Sequence, residues 1–316
     1  MCRESNASLR RDSTPGAVKI RPLQESDYNQ LQFAIRLRDI PATRVKYPDW
    51  PHADAMHRAL SSIHRPDCGC FIVAEEAGRI LGFTGCHAQV HEEIHPLLYG
   101  PVVDPGHWGK GTGGRLLSEL LRHAPSLYGP RRVLTSWADP ENAAAESLLN
   151  RHGFRPVLNE WFMRLDATNR SPAPLPSDCR VRLSRERADM VLAYEIYRTA
   201  WTGRKSVDSF YADFREAPNG LFILEEGGEV VAFFILQHRV NGNADIEYFA
   251  VHRDRRGRGL GKVLMQHALR LVELDGRPKA VTLTVHSDNN PAIRLYEGAG
   301  FRRMYRMTIY QRRVGG

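Results

Sequence analysis

The chain has 316 residues, of which 25% are charged and 42% hydrophobic, and its formal net charge is +8. This is the composition of a folded, water-soluble protein, and the length favours two domains over one. No run of 18 apolar residues occurs, which argues against a membrane-spanning helix.

The charge is uneven. Residues 1–168 hold 20 Lys/Arg against 19 Asp/Glu, whereas residues 169–316 hold 24 against 17. The second half is therefore expected to meet an anionic partner, either nucleic acid or a phosphorylated cofactor. The five cysteines (Cys2, Cys68, Cys70, Cys86 and Cys179) are scattered and odd in number, which suits the reduced thiols of a cytoplasmic protein.

Residues 1–16 read as a frayed tail without the apolar centre of a secretion signal. A strand over 18–22 follows, then helical regions over 26–38 and 52–62. The stretch "CFIVAEEAGRILGFTGCHAQ" alternates like a hairpin that turns at Ala77-Gly78. His57, His64, Cys68 and Cys70 lie close together, but their spacing does not suit a metal site, and packed thiols are the expectation. A strand, "LLYGPVV", leads into "GKGTGG". Leu116, Leu117, Leu120 and Leu121 then fall on one helical face. The strand "RRVLTSWA", a short helix ending at Gly-Phe, and the strand "EWFMRLD" complete this half.

"ATNRSPAPLPSD" reads as an extended linker. Beyond it the same order returns. "LFILEEGGEVVAFFILQHR" turns at Gly227-Gly228. "IEYFAV" leads into "GRGLG" and a helix with Leu264, Met265, Ala268, Leu269 and Val272 on one face, followed by "AVTLTVHS" and "RMTIYQR". Gly111 to Gly259 and Gly113 to Gly261 are both 148 residues apart; Asn142 to Asn289 and Phe154 to Phe301 are both 147. A repeat of this size means two copies of one fold. The expected division is a tail (1–16), a first domain (17–167), a linker (168–178) and a second domain (179–316), each domain α+β around a mostly antiparallel sheet.

In "RRGRGLGKVLM" a strand ends, glycines follow and a helix begins. Glycines let the backbone approach a ligand closely. Unpaired N–H groups at a helix start favour an anion, and Arg256, Arg258 and Lys262 add charge. The loop lacks both the Lys-Ser/Thr ending of a nucleotide-hydrolysing loop and the third glycine of the dinucleotide fingerprint. By itself it reads equally as a phosphate cradle or as a tight turn with solvated arginines.

The pair "VHRDRRGRGLGKVLMQHAL" and "SDNNPAIRLYEGAGF" resembles the GNAT superfamily of acetyl-CoA-dependent N-acetyltransferases. Arg256, Gly259 and Gly261 meet the family's first pattern, and Asn289, Ala292, Tyr296, Gly300 and Phe301 its second. The resemblance covers both halves and implies two tandem GNAT folds, each a twisted, mostly antiparallel sheet flanked by helices, with acetyl-CoA as cosubstrate and no metal. It implies that the amides of Phe249, Ala250 and Val251 pair with the pantetheine arm. Arg256, Gly257, Arg258, Gly259, Leu260, Gly261 and Lys262 would hold the pyrophosphate, and Asn289 would bind the cofactor arm. Tyr296 would be the general acid and Glu247 a base; the Val251 amide or a neighbour would face the oxyanion.

The first copy departs from this pattern. Trp108 stands for Arg256, Tyr99 for Glu247 and Leu149 for Tyr296. Val102, Val103, Lys110, Gly111, Thr112, Gly113, Gly114 and Asn142 keep the cofactor-binding pattern. The first domain is therefore expected to be degenerate yet able to bind CoA, and the second to catalyse. No cysteine lies in either motif, which favours direct transfer in a ternary complex.

The expected acceptor is the primary amine of a small molecule. A peptide acceptor, or a non-catalytic CoA-sensing or nucleic-acid-binding regulator, is the alternative. Size and unequal tandem are similar to those of mycothiol synthases, and an enzyme of antibiotic self-resistance is another specific reading. "WTGRKSVDSFYADF", residues 201–214, reads either as acceptor-pocket lining or as helix core. "RRMYR", residues 302–306, reads as a solvated strand start. Neither a membrane nor nucleic acid is the expected partner, and the two copies would form a pseudo-dimer within one chain.

Overall fold

The computed structural model describes residues 17–37, 40, 43, 54, 56, 60, 71–87, 96–129, 132–166, 178–184, 186–201, 207, 208, 210, 220–239, 242–274 and 278–315. The metal-site residues considered above (His57, His64, Cys68 and Cys70) lie outside these, as does most of the 52–62 region.

The first half builds β1 (Lys19–Pro22), a 3-10 segment (Glu25–Gln32), α1 (Phe33–Leu37), β2 (Phe71–Glu76), β3 (Arg79–His87), β4 (Leu97–Val103), α2 (Thr112–Tyr128), β5 (Val133–Ala138), α3 (Ala143–Arg151) and β6 (Arg155–Asp166). The second half repeats this order with β7 (Cys179–Ser184), α4 (Arg187–Ala200), β8 (Leu221–Glu226), β9 (Glu229–His238), β10 (Ala244–Val251), α5 (Leu260–Leu274), β11 (Ala280–His286), α6 (Asn290–Gly298) and β12 (Arg302–Arg313). The hairpins turn at Ala77-Gly78 and at Gly227-Gly228, as their spacing predicts. The region expected as one helix over 26–38 is a 3-10 segment running into a short α-helix.

Two compact units result, and they do not follow the division at the linker. Among the described residues the first comprises 17–87, 96–158 and 307–315, and the second comprises 159–306. Within the first unit the strands lie in the order β1-β2-β3-β4-β5-β12, and within the second in the order β7-β8-β9-β10-β11-β6. Each half gives its last strand to the other unit. β6 pairs antiparallel with β11 from Glu160–His286 to Asp166–Ala280, and β12 pairs antiparallel with β5 from Thr308–Ala138 to Arg313–Val133. Burial follows the exchange: Met163 and Leu165 enter the core of the second unit, and Tyr310 and Val314 that of the first.

Both sheets are covered on two faces. Along β9, Ala232, Phe234 and Leu236 pack with Leu260, Leu264 and Ala268 of α5 and Ile293 and Tyr296 of α6. The intervening Phe233 and Ile235 pack with Ala193, Ile196 and Tyr197 of α4. The side-chain period of two in a strand thus feeds two separate cores. The first unit is built alike: Leu116, Leu117 and Leu120 of α2 cover one face with Ile72, Ala74 and Leu81, and Phe33 and Ala34 of α1 cover the other with Phe71, Val73 and Phe83.

An ion trio recurs in each unit. Arg21 reaches Asp27 and Glu75, both at 2.6 Å; Arg182 reaches Asp189 at 2.7 Å and Glu225 at 2.8 Å.

Candidate active site

Each site starts from a parallel strand pair that separates. β10 meets β11 at Ala244–Val281 and Asp245–Thr282, and its register against β9 shifts between Glu247 and Ala250. At this bulge Tyr248 takes φ +43°, a costly conformation for a non-glycine residue. β4 and β5 pair at Leu97–Thr135, and the register of β4 against β3 shifts by the equivalent bulge, at Gly100. A bulge bends its strand and redirects the groups that follow, so both units open a cleft between the two parallel strands.

Which amides face that cleft follows from one hydrogen bond. The His252 amide donates to Val231 of β9 at 2.8 Å. Alternation along the strand then turns the Ala250 amide to β9 and those of Phe249 and Val251 to the cleft. In the first unit the Asp104 amide donates to Leu81 at 2.8 Å. There the Val102 amide turns to β3 and the Val103 amide to the cleft, and the position equivalent to Phe249 is Pro101, which has no N–H. The amides of Ala250 and Val102, expected to pair with a pantetheine arm, are thus directed into the sheet.

The glycine loop follows. Gly257 and Gly259 have φ +77° and +83°, and Gly109 and Gly111 of the first unit have +73° and +79°. No heavy atom lies within 4 Å of where a Cβ would stand at these four glycines, so they serve the backbone conformation and leave the loop open. The amides of residues 257–261 and 109–114 make no backbone hydrogen bond among the described residues. Gathered at the starts of α5 and α2, they form a fixed donor array suited to a phosphate group.

The charged side chains divide. Arg256 Nε donates to the Val251 carbonyl at 3.1 Å. Trp108 Nε1 donates to the equivalent Val103 carbonyl at 2.7 Å. The same bond is thus made by two unlike residues, and the loop shape is kept in both units. Arg258 reaches Glu226 at 3.1 Å, and Lys110 Nζ reaches the Gly106 carbonyl at 3.0 Å. Lys262 has no ion pair among the described residues; with Arg294 it lines a groove of about 530 Å³ between α5 and α6.

Asn289 caps α6 by accepting from the Ala292 amide at 3.3 Å, and Asn142 caps α3 through Ala145 at 3.0 Å. Asn289, expected to bind the cofactor arm, therefore has its side-chain oxygen engaged in orienting the helix that carries Tyr296.

Tyr296 is buried against Phe249 and Phe301, its ring centroid 6.1 Å from each. Burial pushes its hydroxyl well above the ordinary tyrosine range, which favours the protonated form. Its counterpart Leu149 is equally buried and has no polar atom to offer. Tyr99, the counterpart of Glu247, stacks on Phe71 at 5.9 Å, and burial pushes its hydroxyl up to about 12. It is part of the core of the first unit.

Glu247 is half-buried and paired with Arg239, which also reaches Asp245 at 2.6 Å. The sequence reading did not single out Arg239 or Asp245. The alternating acids of "ADIEYF" were the available signal; Arg239 had none, because it joins them only across the hairpin. Of "WTGRKSVDSFYADF", Trp201 and Phe210 belong to an aromatic cluster with Tyr194, Tyr197 and Tyr248, with ring centroids 4.9–6.1 Å apart. Among the described residues no group of His, Cys, Asp and Glu is placed to hold a metal ion, and no helix is long and apolar enough to cross a membrane.

A cleft between diverging strands, ending in an array of free amides and present twice, is the frame of an acyltransferase that draws on a phosphorylated acyl carrier. The chain belongs to the acetyltransferase (GNAT) family, whose model matches residues 34–154 and 190–301, one match in each half. Within that family it is a tandem GNAT protein and an acetyl-CoA-dependent acetyltransferase. It is 30% identical over 253 residues to a mycothiol acetyltransferase of Saccharomonospora viridis, covering 73% of this chain and 79% of the relative. Another mycothiol acetyltransferase, of Catenulispora acidiphila, is 28% identical, covering 66% of this chain and 70% of the relative. The fold is also that of a GCN5-related N-acetyltransferase from Sphaerobacter thermophilus, with TM-score 0.75 at 19% identity over 94% of this chain and 96% of that one. A tandem GNAT protein from the clavulanic acid biosynthesis pathway gives TM-score 0.68 at 17% identity over 95% and 99%.

Proposed function

We propose that the second unit transfers acetyl from acetyl-CoA to the primary amine of a small molecule, by direct attack in a ternary complex. The observation that carries this reading is the contrast between two matched cradles: Tyr296, its ring against Phe249 of the cleft strand, follows the loop of the second unit, and Leu149 stands at the equivalent place in the first. The free amides of residues 257–261 would hold the pyrophosphate, with Lys262 beside them, and the amides of Phe249 and Val251 the pantetheine arm. Bound acetyl-CoA supplies an activated thioester. Glu247 takes a proton from the acceptor's ammonium, directly or through a water, which frees the nitrogen lone pair. A neighbouring backbone amide at the β10 bulge faces the developing oxyanion, and the Tyr296 hydroxyl protonates the departing thiolate. The first unit would bind acetyl-CoA without turning it over, since Leu149 cannot protonate and Tyr99 fills the position of the base.

The test is an acetyl-CoA turnover screen against primary amines, including the amine precursor of mycothiol, with the wild type, Tyr296→Phe and Leu149→Ala. Loss of the acid is expected to lower kcat by about 10²-fold with little change in KM for acetyl-CoA, whereas Leu149→Ala keeps kcat. Full turnover by Tyr296→Phe would overturn the assignment.

A further inference from the structure

One residue at the β10 bulge holds a backbone conformation that its side chain opposes. Tyr248 has φ +43°, in the left-handed region, where a tyrosine is strained. The equivalent residue of the first unit, 148 positions earlier, is Gly100, with φ +79°. Glycine adopts that conformation freely. A side chain has no room there, since a Cβ on Gly100 would stand 2.7 Å from the Val102 nitrogen. The two units thus make equivalent bulges by opposite means, one with no side chain and the other with a large one kept against strain. A strained residue persists where its surroundings over-determine it, and around Tyr248 those surroundings include a cluster of rings.

The Tyr248 ring is set edge-on to three others. Its centroid is 5.6 Å from those of Tyr197 and Trp201 and 6.0 Å from that of Phe210, at interplanar angles of 80°, 76° and 66°. Tyr197 lies on α4, and Trp201 caps the C-terminal end of that helix. Phe210 in turn packs edge-on against Phe233, at 5.9 Å and 87°, and Phe233 is the β9 residue opposite Ala250. Tyr197, Phe210 and Phe233 are buried. The cluster therefore holds the bulge at two points: at Tyr248 within it, and at the pair where regular register resumes. Edge-on aromatic pairs are favourable beyond the area they bury, and this attraction opposes the strain at Tyr248.

The bulge decides which way the following amides point. Glu247 pairs with Ile235 and Ala250 with Phe233, so Tyr248 and Phe249 together stand opposite the single residue Phe234. One extra residue shifts the alternation of everything after it by one position. With the bulge in place the amides of Phe249 and Val251 turn to the cleft; in a strand without it they would turn to β9.

We propose that Tyr248 is a positioning residue for the acyl donor: its ring, packed with Tyr197, Trp201 and Phe210, keeps β10 bulged and so keeps the Phe249 and Val251 amides aimed at the pantetheine arm of acetyl-CoA. This rests on the second unit being a site for acetyl-CoA. Tyr248 acts through the backbone and not on the reacting atoms. The aromatic core under α4 lies on the sheet face opposite α5 and α6, and through Tyr248 it becomes part of what orients the donor.

The test compares Y248F, Y248G and Y248A in the full chain, each also carrying Gly111→Asp so that only the second site binds, by calorimetric titration with CoA. Y248F keeps the ring and is expected to bind as the parent does. Y248G and Y248A both lose the ring and are expected to bind more weakly, but glycine takes a positive φ freely and alanine does not. Y248A should therefore bind CoA about 5- to 30-fold more weakly than Y248G, the left-handed penalty of about 1–2 kcal/mol expressed as an equilibrium constant. A packing role alone would lower Tm in both variants and leave their CoA affinities equal. Trp201→Leu should weaken CoA binding when Tyr248 is present and change it little in Y248G, because the ring it acts through is gone. Equal affinities in Y248G and Y248A overturn the proposal, as does a Y248F as weak as Y248A. Loss of all CoA binding in the Gly111→Asp parent overturns the reading of the second cradle as well, so the two failures are distinguishable.

Discussion

Residues that occupy equivalent places in the two units show which interactions the cradle requires. Arg256 and Trp108 share nothing but a nitrogen donor, yet each bonds the carbonyl of the valine that ends its strand. The family position held by Arg256 is thus met here by a bond that shapes the loop, and Lys262 is a further cation at the start of the helix without an ion pair among the described residues. The loop glycines are needed for the backbone itself. With φ +83° and nothing within 4 Å of a built Cβ, Gly259→Ala is opposed only by the left-handed conformation, a cost of about 1–2 kcal/mol. Calorimetry is expected to show a Tm lower by roughly 2–8 °C. KM for acetyl-CoA should rise with it, because the amides on either side of Gly259 lose their common direction.

Among elements, the ion trios pin the first strand of each unit to the helical segment that follows it. Asp189 is buried, accepts two bonds from Arg182 at 2.7 and 2.9 Å, and also accepts from Ser184. The bond from Arg182 lowers its pKa from the ordinary carboxylate value. A depressed folded-state pKa contributes stability that is complete above the unfolded value, about 3.9 for aspartate, and is lost as pH falls through the folded one. Asp189→Asn should therefore cost about 2–3 kcal/mol in urea melts at pH 7, a figure reduced from the fully buried case because Arg182 is partly exposed. The deficit should shrink in melts at pH 3. The repeat of this trio was readable in "IRPLQESD" and "VRLSRERAD" as an arginine followed one element later by an aspartate.

The two clefts also make unequal offers. The second presents the amides of Phe249 and Val251, the first only that of Val103, because Pro101 has no donor. One hydrogen bond is worth about 0.5–1.5 kcal/mol, or roughly 2- to 12-fold in affinity. Calorimetric titration with CoA is expected to resolve two sites, the weaker one lost on Gly111→Asp and the tighter one on Gly259→Asp.

For the whole molecule, the exchange of last strands makes the stability of each unit depend on the far half of the chain. Truncation after Tyr305 removes no residue of the candidate active site. It does remove the pairing of β12 with β5 and takes Tyr310 and Val314 out of the first core. Hydrogen exchange in such a variant should rise first in β5 of the first unit, more than 160 residues upstream in sequence. Protection unchanged from wild type over residues 133–138 would contradict the exchange.

That two copies of one fold are present, where each glycine loop lies and which copy keeps a tyrosine can all be read along the chain. These are local facts: strand and helix periods, turn glycines and motif spacing act over a few residues, so they survive in a linear reading. Three further features depend on pairing at a distance and emerge only in the folded molecule. β6 and β12 each follow a Gly-Phe stop and are equivalent in pattern, so nothing along the chain states which sheet each one completes. Alternation sends the amides of Ala250 and Val102 into the sheet and those of Phe249, Val251 and Val103 into the cleft, a direction fixed by the bulge and by the register against the neighbouring strand. Arg239 meets Glu247 only because the β9–β10 hairpin brings them to one face, and a charge eight residues away in sequence has no partner until the strands are in register.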